Sequence, residues 1–250
     1  MKILVPIKRV LDITLTPRLN SENDMVNMDT MKHIINPFCE IALEEAIRIK
    51  EKHEQVEIIL ITIGHEKAQE QLRMGLALGA CRAIHVITEQ SLLPIDIAKI
   101  LHHFVQQENI HLVLTGKQSI DGDHNQTGQM LAQLMHAPQG TFASHITLNN
   151  EQNQAQITKE VDGGLETINI TLPAVITTDL RLNTPRFASI PNIMKAKRKP
   201  LDKLLLTDLP IQLKKHQEHV SYKIPEQNRK AQALESVNEL VALIQQHHKG

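Results

Sequence analysis

The chain predicts an α/β fold: a doubly wound, mostly parallel Rossmann-like sheet with a β-hairpin, and an extended C-terminal arm ending in a helix. Three observations carry this. Residues 2–8, 56–64, 82–88 and 111–116 are short, β-branched and almost continuously apolar, as strands covered on both faces are. Amphipathic helical segments separate them, and strand–helix alternation favours a parallel sheet. Hydrophobic residues make up 41% of 250 but aromatics only 2%, so a sizeable core is built from Ile, Leu, Val, Ala and Met.

The elements follow in order. "KILVPIK" is the first strand, and residues 9–35 read as an irregular polar insertion after it. "PFCEIALEEAIRIKEKH" (37–53) is a helix, with Asn36 as N-cap candidate and Pro37 at its first position. "VEIILITIG" and "RAIHVIT" are strands flanking a helix over 65–80 that stops at Gly79. A helix over 93–109, the strand "HLVLTG" and a helix over 125–136 complete the alternation. Residues 154–179 alternate around Asp162-Gly163-Gly164, which predicts a β-hairpin. "LPAVITTDL" (172–180) is a further candidate strand. Residues 183–200 read as an exposed loop leading to a short basic helix, and 207–228 as extended. The last segment, 229–248, places Leu234, Val237, Leu240, Val241 and Ile244 on one helical stripe that wants a partner surface. The expected division is 1–200 as the α/β nucleotide-binding domain and 201–250 as the arm.

Composition excludes several functions. Lys and Arg total 27 against 28 Asp and Glu, so no global field draws nucleic acid or membrane, and a stacking platform for single strands lacks its rings. Cys39 and Cys81 form no CxxC pair, which suits a reducing compartment. The 14 histidines include no HExxH or Cys/His ligand spacing, so no metal site is expected. No run reaches the roughly 20 apolar residues of a membrane span. With no targeting segment seen, the expected setting is the bacterial cytoplasm.

The stretch "LTGKQSIDGDHNQTGQMLAQL" (114–134) concentrates hydrogen-bonding groups between a strand and a helix. Ligands in parallel sheets lie past the carboxyl ends of strands, and a helix N-terminus there offers free N–H groups to an anion. Gly116, Gly122 and Gly128 would let backbone approach a ligand, and Asp121, Asp123, Asn125, Gln126 and Thr127 could bond ribose, phosphate or base. A nucleotide cradle and a long, well-capped loop both fit these residues. Neither GxxxxGK[ST] nor GxGxxG is present. The start at Asn36-Pro37 could serve the same ligand or be only a good helix signal. Cys39 in that first turn has no His or acid placed to make it a nucleophile. Glu160, Asp162 and Glu166 crowd the hairpin; period-2 alternation puts the three on one face, solvated or meeting a basic partner. "KAKRKP" (195–200) suits a solvated helix face or an acidic protein partner better than nucleic acid. Ile190, Ile193 and Met194 beside it make an anchor-and-rim surface.

Taken together, "PIKRVLD", "NPFCEIALEEAIRIKE", "LALGACRAIHV", "GKQSIDGDHNQTGQM", "PQGTFAS", "KEVDGGLETINITLPAVITTDLRLN" and "PRFASIPNIMKAKRKP" resemble, in order, the β subunit of electron transfer flavoproteins. The resemblance implies an electron carrier, not an enzyme. It implies a heterodimer with an α subunit that holds most of the FAD, while the β subunit holds AMP structurally. Electrons would come from acyl-CoA dehydrogenases and related enzymes of fatty acid β-oxidation and leave to a quinone oxidoreductase. Carried over, cofactor contacts fall on Pro6, Asn36, Pro37, Phe38, Cys39, Ile63, Gly116, Asp121, Asp123, Asn125, Gln126 and Thr127. Partner docking falls on Arg186, Ile190, Pro191, Ile193, Met194, Lys195, Lys197 and Arg198, with Ile190 replacing the usual Leu. Glu160 matches a glutamate that pairs with an α-subunit arginine near the flavin, and Ile13 stands where a Tyr often meets the flavin. "NQTGQ" resembles the AMP-binding branch, which implies one FAD per heterodimer. The competing function is a stand-alone adenine-nucleotide-binding sensor.

Overall fold

A computed structural model describes residues 1–12, 14–15, 31–149, 151–214, 217, 220 and 233–247. Its strands are β1 (Lys2–Pro6), β2 (Arg9–Leu11), β3 (His33–Ile35), β4 (Glu57–Gly64), β5 (Arg82–Ile87), β6 (Leu112–Gly116), β7 (Gln139–Leu148), β8 (Gln154–Val161), β9 (Gly164–Thr171), β10 (Ala174–Thr178) and β11 (Leu201–Leu205). Its helices are α1 (Pro37–Lys52), α2 (Gln69–Leu78), α3 (Pro94–Glu108), α4 (Thr127–Met135), α5 (Ile190–Ala196) and α6 (Val237–His247). The chain divides into two compact units, one of Met1–Pro17 with Asn27–Glu218, the other of Arg18–Val26 with His219–Gly250.

The first unit holds a nine-stranded sheet ordered β11-β5-β4-β1-β6-β10-β7-β8-β9. Neighbours pair in parallel from β11 to β7 and antiparallel from β7 to β9. The chain runs outward from β1 to β4 and β5, then returns to β6 on the other side of β1. That reversal makes β1/β6 the switch point where such sheets bind ligands.

Alternation fills both faces. Ile3, Val5, Ile58 and Leu60 pack with Ala42, Leu43, Leu72 and Leu76 of α1 and α2. Leu4, Ile59, Ile61 and Val113 pack with Ile100, Leu101, Leu131 and Ala132 of α3 and α4. Each fully buried Ile, Leu or Val among them contributes about 1.5–3 kcal/mol relative to exposure. Gly75 lets α2 lie close on β4, since a Cβ there would stand 2.5 Å from Leu60 Cδ1. α1 begins with Pro37 at its first turn, as expected, and ends where His53 turns extended.

Three segments differ from the sequence expectation. Residues 9–35 are not wholly irregular: β2 and β3 pair antiparallel at their base. β7 was not anticipated; Phe142, at φ 56°, breaks its register between β10 and β8 and blurs its alternation. Residues 201–205, assigned to the arm, form β11 against β5. Only Leu201 and Leu204 are half-buried there, so an edge strand with a wet face leaves little apolar signal. The hairpin forms as expected, Val161 opposite Gly164 across Asp162-Gly163.

Candidate functional site at the carboxyl edge

Pro6, Ile63 and Gly116 lie at the carboxyl ends of three adjacent strands, and α1 and α4 start at the same edge. Their juxtaposition follows from packing. A Cβ on Gly116 would stand 2.6 Å from Phe38 Cβ and 2.8 Å from the Phe38 carbonyl carbon, so only glycine lets β6 pass beneath α1's first turn. A Cβ on Gly128 would meet Thr177 Cγ2 at 2.5 Å. The close approaches that the glycines at 116 and 128 permit are therefore to protein atoms. The Thr178 hydroxyl donates to the Phe38 carbonyl at 3.3 Å and ties α1 to the sheet centre.

Asn36 occupies the N-cap position of α1, but its side chain does not cap the helix. Instead, fully buried, it holds the loop after β6: its amide donates to the Gln118 carbonyl at 2.9 Å, and its Oδ1 accepts from Ile120 N–H at 3.2 Å. Lys8 holds the same loop from outside, donating to Asp121 Oδ1 at 2.8 Å and Ser119 Oγ at 3.1 Å. Burial alone would raise the Asp121 pKa, but the Lys8 charge together with hydrogen bonds from Lys8 and Ser119 outweighs it, and the carboxyl lies below its ordinary value. Asp123 accepts from Gln118 at 2.8 Å. Asp123 and Asn125 have φ of 48° and 50°, a left-handed conformation that Asp and Asn tolerate better than most residues. Gln126 is the N-cap of α4 and likewise makes no side-chain cap. Two helix N-termini thus face this edge without side-chain caps.

Sequence reasoning missed three residues here. Gln129 donates to Asn125 Oδ1 at 2.9 Å, while its own Oε1 is buried with no protein partner among the described residues. Lys8 reads as an ordinary strand-end lysine. Lys117 pairs with Asp179 at 2.7 Å and lies 5.4 Å from the centroids of both the Phe38 and Phe142 rings. Only the "NQTGQ" match could have signalled Gln129. Cys39 is buried, and burial pushes its thiol pKa up, as suits a packed cysteine.

Two hairpin expectations change. Cross-strand partners share a face, and the partners are Lys159 with Glu166 and Glu160 with Leu165. The turn reverses parity, so Glu160 and Glu166 lie on opposite faces rather than one. Glu166 pairs with Lys159 at 2.9 Å, and Glu160 pairs with Arg181 of its own chain. Ile13 lies outside the described residues.

The segment expected from sequence to dock a partner is partly free and partly engaged. Ile190 is 78% exposed and Met194 59%, with Ile193 less so. Phe187, not singled out from sequence, is 100% exposed. Ile190 and Pro191 open α5 behind Ser189, whose hydroxyl accepts from Asn192 N–H. Lys195, Lys197 and Arg198 follow without ion pairs among the described residues. Arg186 is paired with Glu44 and Glu51. No group of three or more potential metal ligands occurs among the described residues, and no described helix is long and apolar enough to cross a membrane.

A family model described as "Electron transfer flavoprotein domain" matches residues 25–209. The chain is 50% identical over 241 residues to the mitochondrial electron transfer flavoprotein subunit beta of Arabidopsis thaliana, covering 96% of each chain. It is 48% identical to the mitochondrial counterpart of Oryza sativa subsp. japonica, again covering 96% of each. With the subunit beta of Sus scrofa it shares 44% identity, over 98% of this chain and 97% of that one. The mitochondrial plant relatives overturn the expectation of a bacterial cytoplasmic setting; the absence of a recognisable targeting segment was too weak a ground for it. The chain belongs to the β-subunit branch of the electron transfer flavoprotein family and is an electron carrier rather than an enzyme.

Proposed function

We propose that this chain pairs with an α subunit, holds AMP as a structural ligand at the carboxyl edge of its sheet, and presents its α5 segment to electron-donating dehydrogenases. The α subunit holds most of one FAD per heterodimer, and a quinone oxidoreductase takes the electrons onward. The observation that supports AMP is the meeting of two helix N-termini without side-chain caps beside the orphaned Gln129 Oε1. Free N–H groups and the positive helix ends suit a phosphate. A buried acceptor such as Gln129 Oε1 calls for a donor, which a ribose hydroxyl or an adenine amino group provides.

The flavin, when bound, accepts and releases the electrons. The residues of this chain supply placement. Asn36, Lys8 and Asp121 hold the loop after β6 in shape, and Asn125 and Thr127 open α4 toward the nucleotide. Glu160 and Arg181 are half-exposed, so Glu160 is open to trade Arg181 for an α-subunit arginine beside the flavin. An apolar Phe187, Ile190 and Met194 surface with a basic rim suits a partner with an acidic-rimmed apolar pocket.

The test is nucleotide and flavin analysis of the heterodimer co-expressed with its α subunit. AMP and FAD are expected in equal amounts. The double variant Asn125→Ala/Thr127→Ala should lose AMP and assemble poorly while any assembled fraction keeps FAD. Full AMP in that variant would sink the site assignment.

A further inference from the structure

The segment that carries Phe187, Ile190 and Met194 is bolted down on both sides. Before it, Asn183 donates to the Ile41 carbonyl at 3.0 Å and Glu45 Oε2 at 3.1 Å. Arg48 donates to the Thr184 carbonyl at 3.3 Å. Arg186 grips Glu44 with Nε at 2.8 Å and Nη2 at 3.1 Å, adds its backbone N–H at 3.3 Å, and reaches Glu51 at 2.5 and 3.1 Å. All these acceptors and donors on the helix side belong to α1. Beyond it, Arg73 of α2 donates to the Ala196 and Lys199 carbonyls at 2.8 and 2.7 Å. Lys199 returns the contact, donating to the Leu76 and Ala80 carbonyls at 2.9 and 2.6 Å. Arg73 thus closes the carboxyl end of α5, and Lys199 that of α2.

Among these ties Glu44 stands apart. Its carboxylate side chain is 4% exposed, and two guanidiniums share it: Arg48 one turn along α1 and Arg186 from the docking segment. A buried carboxylate would ordinarily be disfavoured as an ion. Here the two arginines outweigh its burial, and its pKa lies below the ordinary value. A surface ion pair is loose and adds little order, whereas a two-pronged Arg–carboxylate pair with one partner buried fixes direction.

We propose that Glu44 is a positioning residue for partner docking: through Arg186 it fixes the segment 183–187 on α1 and so sets the attitude at which Phe187, Ile190 and Met194 meet an electron-donating partner. The proposal rests on the docking role given above to α5. Glu44 is buried and touches no partner itself. Its effect is to hold three exposed apolar side chains in one arrangement before encounter, which lowers the ordering cost of binding.

The experiment uses the co-expressed, flavin-loaded heterodimer with an acyl-CoA dehydrogenase as donor and with dithionite as a small reductant. Glu44→Gln should raise KM for the dehydrogenase about tenfold, with kcat and dithionite reduction unchanged, the pattern of lost uniform binding. Arg186→Gln should do the same, and the double variant should be no worse than the worse single one, because the pair acts as a unit. A fall in melting temperature without a rise in KM, or additive single effects, would overturn the proposal. Ile190→Ala is the control on the premise. If it leaves KM unmoved, the docking reading falls and Glu44 with it; if it raises KM while Glu44→Gln does not, the Glu44 proposal alone falls. Should Glu44→Gln not assemble, Arg186→Lys replaces it. That variant keeps the charge but loses the fork, and the same rise in KM supports the proposal while its absence overturns it.

Discussion

Gly116 shows how one residue can shape a candidate site through the packing it allows. The strand end it occupies was legible from sequence; the reason for glycine was not, because the atoms that forbid a Cβ belong to Phe38, far away in sequence. Gly116→Ala should push the first turn of α1 off β6. The expected cost is about 1–3 kcal/mol, the usual range for overpacking, with AMP retained less well after gel filtration of the heterodimer. Asn36 teaches the same lesson. Its position at a helix start follows from Asn-Pro, yet its side chain serves the loop after β6. Glu44 adds a pH signature. Its folded pKa is depressed, so its stabilisation is complete above the ordinary glutamate value of about 4.3 and is lost as pH falls through the lower folded value. Wild type and Glu44→Gln should therefore differ in melting temperature at neutral pH and converge in acid.

Helices and strands with strong periodicity were readable because their burial is two-sided or striped. α1, α3 and the strands β1, β4, β5 and β6 lie within a few residues of expectation. β7 and β11 were not readable, one because a positive-φ residue interrupts it and the other because half of it faces water. α6 raises a different matter. Its stripe was legible, and Val237 is 76% exposed with Leu240, Val241 and Ile244 about half-exposed in this chain. A helix keeps such a face only when something covers it. Leu240→Asp should reduce recovery of the heterodimer on co-purification while leaving the thermal unfolding of the first unit unchanged. Undiminished co-purification would remove α6 from the subunit interface.

At the scale of the molecule, strand–helix alternation sufficed for the parallel core of β1, β4, β5 and β6, but the order of the strands was not readable. Alternation says that strands are parallel, not which neighbours they take. β10, late in the sequence, enters beside β6, and β11 crosses to the far edge beside β5. The strand-to-helix junction at β6, where the nucleotide is proposed to sit, was legible all the same, because it does not depend on the order at the edges. Expressed without its α subunit, the chain should be poorly soluble and colourless. Co-expression should make it soluble and yellow, and good solubility alone with tight AMP would favour the sensor instead.

The segment that ends β10 and reaches β11 passes β6, β1, β4 and β5 on the way. At about 4.8 Å per strand spacing this is roughly 24 Å of lateral travel. Residues 179–200 are the covalent route across that distance, and the same residues display Phe187, Ile190 and Met194. The segment proposed to meet other proteins is therefore also the covalent link between β10 and β11. Were Leu201–Leu205 to leave its place, β5 would become an edge open to edge-to-edge pairing. Such a loss would show first as aggregation. A change in this segment can therefore be felt twice, in the proposed docking surface and at the far edge of the sheet.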